Sequence, residues 1–292
     1  MDSSLSITKY DNIIIIKEIL KSNAGFAYYY KKCYTFFSNK NIKGKNHIWY
    51  IQQYRMKLQK LLSNTRRAID DYQMIQDGDR IGVGISGGKD SLTLLYALVS
   101  LSHFYPKKFT VHAITVDLGF DNQNFEAIEA LCQELQVPYS IVKTQIASVV
   151  FQKRKEKNPC SLCAKMRKGA LNDEARKLGI QKIAYAHHMD DVVETMLLSL
   201  FYEGRFHTFS PVTHLEQTGL TLIRPLIYVR EMDVKGFCNK YNLPVAKSSC
   251  PVDGHTKRED MKQLLKQLIQ TNPGVRERIF TAIRNGNLED WE

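Results

Sequence analysis

The apolar positions of this 292-residue chain follow two spacings, and segments of the two kinds alternate from residue 56 onward. Apolar residues three or four positions apart predict amphipathic helices, whereas short apolar runs bounded by turn residues predict buried strands. Helices are predicted from Met56 to the turn at 77–79, from Leu92 onward, and over 125–135, 192–202, 231–241, 257–269 and 275–283. Strands are predicted over 81–85, 109–116, 139–142 and 183–186. This alternation predicts an α/β fold with a doubly wound parallel sheet, an N-terminal helix and a helical C-terminal part.

Composition divides the chain into three predicted parts, residues 1–55, 56–230 and 231–292. The first part carries nine Lys or Arg against three Asp or Glu, and it has no sustained helical or strand period. One hypothesis is an RNA-binding extension, in which Tyr28, Phe36 and Trp49 stack on bases between lysines. The other is that the native protein begins at Met56 and that the preceding residues are upstream sequence read in frame. The break in composition favours the second hypothesis.

The hexapeptide Ser86-Gly87-Gly88-Lys89-Asp90-Ser91 joins the first predicted strand to the second predicted helix. Small residues at such a turn let backbone N–H groups converge on an anion, and the following helix points its positive end at the same place. Lys89 adds a full positive charge, and Asp90 or Ser91 can cap the helix. The hexapeptide is therefore predicted to bind phosphate.

Two commoner phosphate-binding motifs do not fit this segment. The ATPase signature G-x-x-x-x-G-K-[ST] would require glycine at Val83 and serine or threonine at Asp90. Gly82, Gly84 and Gly87 satisfy the dinucleotide signature G-x-G-x-x-G, but the first two fall inside the predicted strand. That signature also needs an acidic ribose ligand about 20 positions later, and none is present. The signature that remains, S-G-G-x-D-S, resembles that of the PP-loop ATP pyrophosphatases.

This resemblance implies that the hexapeptide binds a nucleotide and that the nucleotide is cleaved there. ATP, with Mg²⁺, is expected to bind there and to be cleaved between its α and β phosphates. The AMP moiety then activates a carbonyl of the substrate. Lys89 and Asp90 are expected to be catalytic, with Lys89 stabilising charge on the departing pyrophosphate.

Two further candidate nucleotide ligands lie at or after strand ends. The carboxyl ends of parallel strands meet at one edge of the sheet, so Asp117, at the end of the second strand, is predicted to face the nucleotide. A turn before Gly119 would equally account for it. Arg224 precedes Pro225 and is therefore extended, which lets its guanidinium reach a nucleotide phosphate or RNA. A structural salt bridge is the alternative.

An acidic pair follows two histidines where a strand passes into a helix. His187 and His188 end the strand, and Asp190 and Asp191 open the helix. The two carboxylates suit Mg²⁺ held through waters or the orientation of a histidine. The alternative is that Asp190 only caps the helix and Asp191 favours its dipole.

The chain has six cysteines, and three of them lie in predicted loops bounded by proline. Cys160 and Cys163 form a C-x-x-C ahead of a basic helix, and Cys250 lies 87 residues after Cys163. Thiolates at this spacing can bind one metal centre, and nearby cations lower their pKa values. A redox dithiol, or zinc held with Cys250 and His255, would use the same residues. The other cysteines are not assigned to this site, because one falls in the first part of the chain and two at buried helical positions: Cys33, Cys132 and Cys238.

Four motifs in this order resemble the tRNA 2-thiocytidine synthetase family of PP-loop proteins, over residues 56 to about 285. They are Cys160-x-x-Cys163, the distant Cys250, the segment 186–191 and Ile223-Arg224-Pro225-Leu226. The resemblance implies a 4Fe-4S cluster held by the three cysteines, with one iron left open to bind sulfide. It also implies adenylation at C2 of a cytidine, expected at position 32 of the anticodon loop, and replacement of that oxygen by sulfur.

Charge and hydropathy bear on the partners. The net charge of +11 suits a polyanion such as RNA. No apolar run approaches the roughly 18 residues that a membrane span needs, so a cytoplasmic location without membrane contact is expected. The expected partners are tRNA, a sulfur donor such as a cysteine desulfurase, and a second copy of the chain in a homodimer. Five C-terminal basic residues would add to an RNA-binding surface, although solvated faces explain them equally: Lys257, Arg258, Arg276, Arg278 and Arg284.

Two rival interpretations stay open at this point. One is a PP-loop enzyme that thiolates another base or a small molecule. The other is a non-enzymatic iron-sulfur or RNA-binding protein.

Overall fold

One six-stranded sheet organises the residues that this computed structural model describes, which are 45–120, 124–154, 159–246, 250, 257–286, 288 and 291. Its strands are β1 (Asp79–Gly84), β2 (Phe109–Asp117), β3 (Tyr139–Lys143), β4 (Lys182–Ala184), β5 (Val212–Leu215) and β6 (Leu220–Ile223). Their spatial order is β3-β2-β1-β4-β6-β5. All neighbours pair in parallel except β5 and β6, which form an antiparallel hairpin at one edge.

Helices cover both faces of this sheet. They are α1 (Lys45–Asp71), α2 (Lys89–Ser102), α3 (Glu126–Glu134), α4 (Pro159–Lys177), α5 (Met189–Leu198), α6 (Glu231–Tyr241), α7 (Lys257–Thr271) and α8 (Val275–Asn285). Two π-helical turns, Ser148–Lys153 and Ser199–Glu203, complete the elements. Among the described residues, no helix combines the length and the apolar character needed to cross a bilayer.

Alternate residues of the strands enter two separate apolar cores, one on each face. In β2, Val111 and Ala113 join the larger core, whereas Ile114 joins the smaller one. Helix α4 closes the smaller core with Leu171 and Ala175. The larger core lies under α1, α2, α3 and the C-terminal helices. Helix α2 is buried along residues 91–101, since it packs on the sheet and also against α6.

The winding of the sheet reverses at β1. From β1 the chain moves outward to β2 and β3, and it then crosses to the other side of β1 to form β4. Open α/β sheets bind ligands at the carboxyl ends of the strands beside such a reversal. The hexapeptide follows β1 and His187 follows β4, so the topology brings these two predicted segments together.

The predicted α/β fold class is confirmed, with local differences. The hairpin of β5 and β6 and the two π-helical turns were not predicted, because four-residue strands and one extra residue in a helix leave almost no periodic signal. Helix α1 begins at Lys45 and continues through Met56. Residues 1–44, with Tyr28, Cys33 and Phe36, lie outside the described residues, and the side chain of Trp49 is likewise not described. The division into three parts therefore stays a prediction.

Candidate active site

The hexapeptide forms a tight turn that is held together by its two serines. The Ser91 hydroxyl accepts a hydrogen bond from the Ser86 amide at 3.2 Å and donates to the Gly88 carbonyl at 3.0 Å. The Ser86 hydroxyl accepts from the Gly88 amide at 3.3 Å. Gly88 is the N-cap residue of α2 and offers no side-chain acceptor. The first N–H groups of a helix have no intrahelical acceptor, so this end of α2 is suited to bind a phosphate.

Lys89 extends from this turn into a cluster of opposite charges. Its ammonium lies 3.0 Å from Asp90 Oδ2 and 3.2 Å from Glu231 Oε1. Lys262 approaches the same Glu231 oxygen at 2.8 Å. Burial raises the pKa of Glu231, but the two lysines lower it more, to about 2. Burial lowers the pKa of Lys89, but Asp90 and Glu231 leave it above its ordinary value. The C-terminal helices therefore hold the lysine of the hexapeptide in place.

His188 links the hexapeptide to the start of α5. Its Nδ1 accepts a hydrogen bond from the Asp191 amide at 3.3 Å, and the Asp191 carboxylate accepts from the His188 amide at 2.9 Å. In the neutral ring the proton is therefore on Nε2, which lies 3.6 Å from Asp90 Oδ1. That buried Asp90 oxygen has no hydrogen-bond partner among the described residues. A carboxylate oxygen left in this way fits a cation such as Mg²⁺ or a ligand hydroxyl.

The two carboxylates of the acidic pair, at the start of α5, have different contacts. Asp191 lines the cavity described below and lies 3.5 Å from Arg258. Asp190 instead accepts a hydrogen bond from the Glu231 amide at 2.7 Å and pairs with Arg276 at 3.0 Å. Asp190 is not part of the lining of this cavity, so the Mg²⁺ role expected for it stays a prediction. Arg276 is likewise largely buried in this pair rather than exposed for RNA.

Arg224 lies behind His187 and orients it. The guanidinium donates from Nε to His187 Nδ1 at 3.2 Å and from Nη1 to the Ser210 carbonyl and to Thr213 Oγ1. Burial lowers the pKa of Arg224 to about 10, so it stays charged at neutral pH. Burial and then the Arg224 charge lower the pKa of His187 to about 4. The ring is therefore neutral at physiological pH and carries its proton on Nε2.

A cavity of about 280 Å³ lies where the carboxyl ends of β1, β2 and β4 meet α2 and α4. Polar groups from the hexapeptide and from the loop after β4 line it together with apolar residues. Its lining includes Ser86, Asp90, Ser91, Thr115, Phe125, Arg167, Leu171, Tyr185, His187 and Asp191. This is the combination that a nucleotide site needs, with phosphate-binding groups beside apolar walls.

Asp117 and Arg224 do not belong to the lining of this cavity. The Asp117 carboxylate accepts a hydrogen bond from the Gly119 amide at 2.9 Å, which is the turn alternative left open by the sequence. Arg224 acts on the cavity through His187 only, so its direct contact with a nucleotide phosphate stays a prediction.

Electrostatic contacts link Cys163 to the other two candidate cysteines, and its helix, α4, also lines this cavity. Cys160 and Cys163 occupy the first turn of α4 rather than the predicted loop, because Pro159 is favourable as the first residue of a helix. Burial raises the pKa of Cys163, the Arg167 charge opposes this, and the nearby thiols of Cys250 and Cys160 raise it further. Cys250, distant in sequence, is thus within electrostatic reach of the pair.

Three thiolates are a donor set that suits an iron-sulfur cluster. Zinc ligands converge on one point, whereas each thiolate of an iron-sulfur cluster can bind a different iron. His255, the fourth ligand of the zinc alternative, lies outside the described residues. The remaining cysteines, Cys132 and Cys238, are buried as predicted.

Several residues of the site were not singled out by the sequence. Arg167 and Tyr185 line the cavity, and Phe209 stacks on the His187 ring at 4.5 Å. Glu231 and Lys262 contact the hexapeptide lysine from the C-terminal helices. Only Arg167 carried a signal, since it follows Cys163 by one helical turn.

Comparison with known proteins places the chain in a family. Residues 52–268 match the PP-loop domain family. The tRNA-cytidine(32) 2-sulfurtransferase of Geobacter sulfurreducens is 36% identical over 233 residues, which cover 79% of this chain and 91% of that protein. Its counterpart in Syntrophotalea carbinolica is 38% identical over 229 residues, covering 77% and 88%. The one in Aliivibrio fischeri is 39% identical over 238 residues, covering 80% and 78%.

A solved structure supports the fold independently. The U34-tRNA thiolase of Methanococcus maripaludis, determined with its [4Fe-4S] cluster, superposes with a TM-score of 0.64 at 22% identity. The superposition covers 82% of this chain and 80% of that one. The signature, the fold and the matched length agree, and the chain belongs to the PP-loop family and, within it, to the family of the tRNA-cytidine(32) 2-sulfurtransferases.

Proposed function

We propose that this protein is an ATP-dependent tRNA sulfurtransferase that replaces the oxygen at C2 of a cytidine with sulfur, with position 32 of the anticodon loop as the expected target. One observation carries the proposal: the helix that bears Cys160 and Cys163 also lines the cavity beside the hexapeptide. Activation of the base and delivery of sulfur then take place in one pocket.

The segment before the third cysteine reinforces this link. The Ala246 amide donates to the Gly87 carbonyl at 3.0 Å, so the chain four residues before Cys250 is anchored on the hexapeptide. We expect the third thiol to be held near the turn that would bind the ATP phosphates.

The chemistry begins with the nucleotide. The C2 oxygen of the cytidine attacks the α phosphate of ATP, and pyrophosphate leaves. Lys89 and the amides at the start of α2 stabilise the charge that develops on the leaving group. Asp90 and Asp191 present carboxylates that would hold Mg²⁺ against the phosphates. The His187 ring, which stays neutral, would donate a hydrogen bond from Nε2 to the substrate.

The second half of the reaction replaces the activated oxygen. Sulfide attacks C2, and AMP leaves with the original oxygen, which adenylation has made a good leaving group. Cys160, Cys163 and Cys250 would hold a 4Fe-4S cluster. When bound, the cluster would supply an iron without a protein ligand at which sulfide is held for transfer. A sulfur donor such as a cysteine desulfurase would supply the sulfur as a persulfide, and an external two-electron reductant would release it as sulfide.

The substrate must reach this cavity. A base can enter only when it is unstacked from its neighbours, which favours a single-stranded loop over a duplex. A tRNA anticodon loop meets this requirement, and the net charge of +11 favours its polyanionic backbone. Action on tRNA also implies a cytoplasmic location. A homodimer stays a prediction.

The proposal is tested with full-length protein purified without oxygen. The protein is incubated with ATP, Mg²⁺, sulfide and tRNA that lacks 2-thiocytidine, and the digested tRNA is analysed by mass spectrometry. We expect 2-thiocytidine, with one pyrophosphate released for each thiolated base. Cys250→Ser should reduce thiolation roughly 100-fold or more and lose bound iron and sulfide, while ATP still binds. Cys132→Ala, a buried cysteine away from the site, should keep both.

Two outcomes would point to the rival interpretations. Thiolation of a different base, or of a small molecule, would indicate another PP-loop sulfurtransferase. Absence of pyrophosphate release with any RNA would indicate a non-enzymatic iron-sulfur or RNA-binding protein.

A further inference from the structure

Four large apolar side chains are exposed in the seven-residue stretch 200–206, shortly after α5. They are Leu200, Phe201, Tyr202 and Phe206, which are 38%, 60%, 46% and 73% exposed. We call them the aromatic patch. They make up half of the large apolar side chains exposed in the described part of the chain. Exposed apolar patches on proteins usually mark binding surfaces.

The backbone explains why these side chains leave the core. Helix α5 ends at Leu198, and the next turn, Ser199–Glu203, is π-helical. A π turn adds one residue and rotates the following side chains away from the buried stripe of the helix. Gly204, at a φ of +64°, then reverses the chain. Such turns occur frequently at functional sites.

The aromatic patch is joined to the active-site cavity by two paths. The chain returns from Phe206 to Phe209, whose ring stacks on the cavity residue His187 at 4.5 Å. The ammonium of Lys257, the first residue of α7, lies 4.5 Å from the centre of the Tyr202 ring. The next residue, Arg258, pairs with Asp191 of the cavity. The patch is therefore linked to the cavity through Phe209 and through the first turn of α7.

Positive groups are interleaved with the exposed rings. Arg205 is 62% exposed and pairs with Glu203, and Lys257 is exposed above Tyr202. Single-stranded nucleic acid is typically bound in this way, by aromatic rings that stack on bases and cations that meet the phosphates. A second protein copy would need about 800 Å² from each partner for a stable interface, which four side chains cannot supply.

We propose that the aromatic patch stacks unpaired bases of the tRNA loop that neighbour the target base, while Arg205 and Lys257 contact their phosphates. This inference rests on the proposed function and specifies how its substrate is held. Stacking the neighbouring bases would keep the loop open and leave the target base free to enter the cavity.

The experiment measures binding of an anticodon stem-loop RNA to full-length protein purified without oxygen. Phe201→Ala and Phe206→Ala are each expected to weaken binding roughly tenfold, because each removes one stacking surface. Phe206→Tyr keeps the ring and should bind as the wild type does. Phe104→Ala is the matched control, since Phe104 is 45% exposed but lies beyond the far end of α2. ATP binding, measured in parallel, should be unchanged in all four variants.

The stacking itself is tested with Phe206→Trp. Its fluorescence should be quenched by the stem-loop and not by a fully paired RNA of the same length. Unchanged affinity of the two alanine variants for an RNA that the wild type still thiolates would overturn the patch proposal and leave the proposed function standing. If the alanine variants convert a dimer to monomers but keep their RNA affinity, the patch is instead an interface with a second copy of the chain. Failure of the wild type to bind or thiolate tRNA would overturn both proposals.

Discussion

Asp190 and Asp191 are adjacent in the chain, yet their carboxylates serve different parts of the molecule. Consecutive helical residues point about 100° apart, so only one of the two can face the cavity. Asp190 is buried and holds the Glu231 amide and Arg276, whereas Asp191 lines the cavity. Sequence spacing identifies such a pair but does not assign the roles, because the rotation of the helix depends on what packs against it.

This difference predicts opposite effects of the same substitution. Asp190→Asn leaves the Arg276 charge without its partner in a largely buried position, so unfolding free energy should fall by about 2–4 kcal/mol. ATP affinity should remain near that of the wild type. Asp191→Asn keeps an oxygen to accept from the His188 amide, so stability should change by less than about 1 kcal/mol. Its affinity for ATP with Mg²⁺ should fall roughly tenfold.

Chemical denaturation and nucleotide titration of the two variants separate these effects. The reverse pattern, with Asp190→Asn impairing nucleotide binding at unchanged stability, would support the predicted nucleotide-binding role of Asp190.

At the scale of elements, the turn from β1 to α2 depends on the backbone of Gly87. Its φ of +80° lies in the left-handed region, which favours glycine. A Cβ at this position would lie 3.1 Å from the Cβ of Ala246. Any larger residue would therefore strain the turn and displace the segment that leads to Cys250.

Gly87→Ala should consequently affect function more than stability. The backbone strain alone should lower the unfolding free energy by roughly 1 kcal/mol. ATP affinity should fall at least tenfold, since the amides of the turn lose their alignment. Gly78→Ala is the matched control, because Gly78 has a φ of +83° but no atom within 4 Å of the added methyl group. It should show the same thermal destabilisation with normal ATP binding, and equal ATP affinities in the two variants would contradict this role for Gly87.

How far elements could be predicted depended on their length and on their partners. The hexapeptide was predicted because a turn signature is a local feature. Helix α6 was predicted because apolar residues repeat at helical spacing along its 11 residues. The first turn of α4 was predicted as a loop, although Pro159 is a favourable first helical residue, because the Asn158-Pro159 dipeptide also signals a turn. The hairpin of β5 and β6 has strands of four residues, too short to show a period.

For the molecule as a whole, the sequence predicted that distant motifs meet but not which other groups join them. Lys89 and Glu231 are 142 positions apart in the chain, and their contact depends on α6 packing against α2. Arg224 donates to His187 across 37 positions of the chain, a contact that the sequence did not predict. Contacts of this kind are set by tertiary packing, which leaves no spacing rule in the sequence.

Three of these packed groups should shape the pH dependence of stability. The pKa of Glu231 is lowered to about 2 in the folded protein. Between pH 2 and 4.5 the unfolded chain therefore holds more protons than the folded protein, and the free energy of unfolding rises with pH. The pKa of His187 is lowered to about 4, so the free energy of unfolding also rises with pH between 4 and 6.5. Glu194, a buried residue of α5, acts in the opposite direction. Burial, and then the Asp191 charge, raise its pKa to about 7, so the folded protein retains a proton that the unfolded chain loses above pH 4.5.

Glu194→Gln isolates this opposing contribution, since glutamine resembles the protonated acid and does not titrate. Below pH 4.5 the variant and the wild type should have similar unfolding free energies. As pH rises to 7 the variant should become the more stable by up to about 3 kcal/mol, which is the free energy linked to the shift of this buried group. Denaturant unfolding at several pH values measures the difference, with Glu216→Gln, exposed in the turn after β5, as the control. A difference that stays constant from pH 4.5 to 7 would show that Glu194 ionises in the folded protein as it does in the unfolded chain, and that its buried position beside Asp191 does not govern its proton.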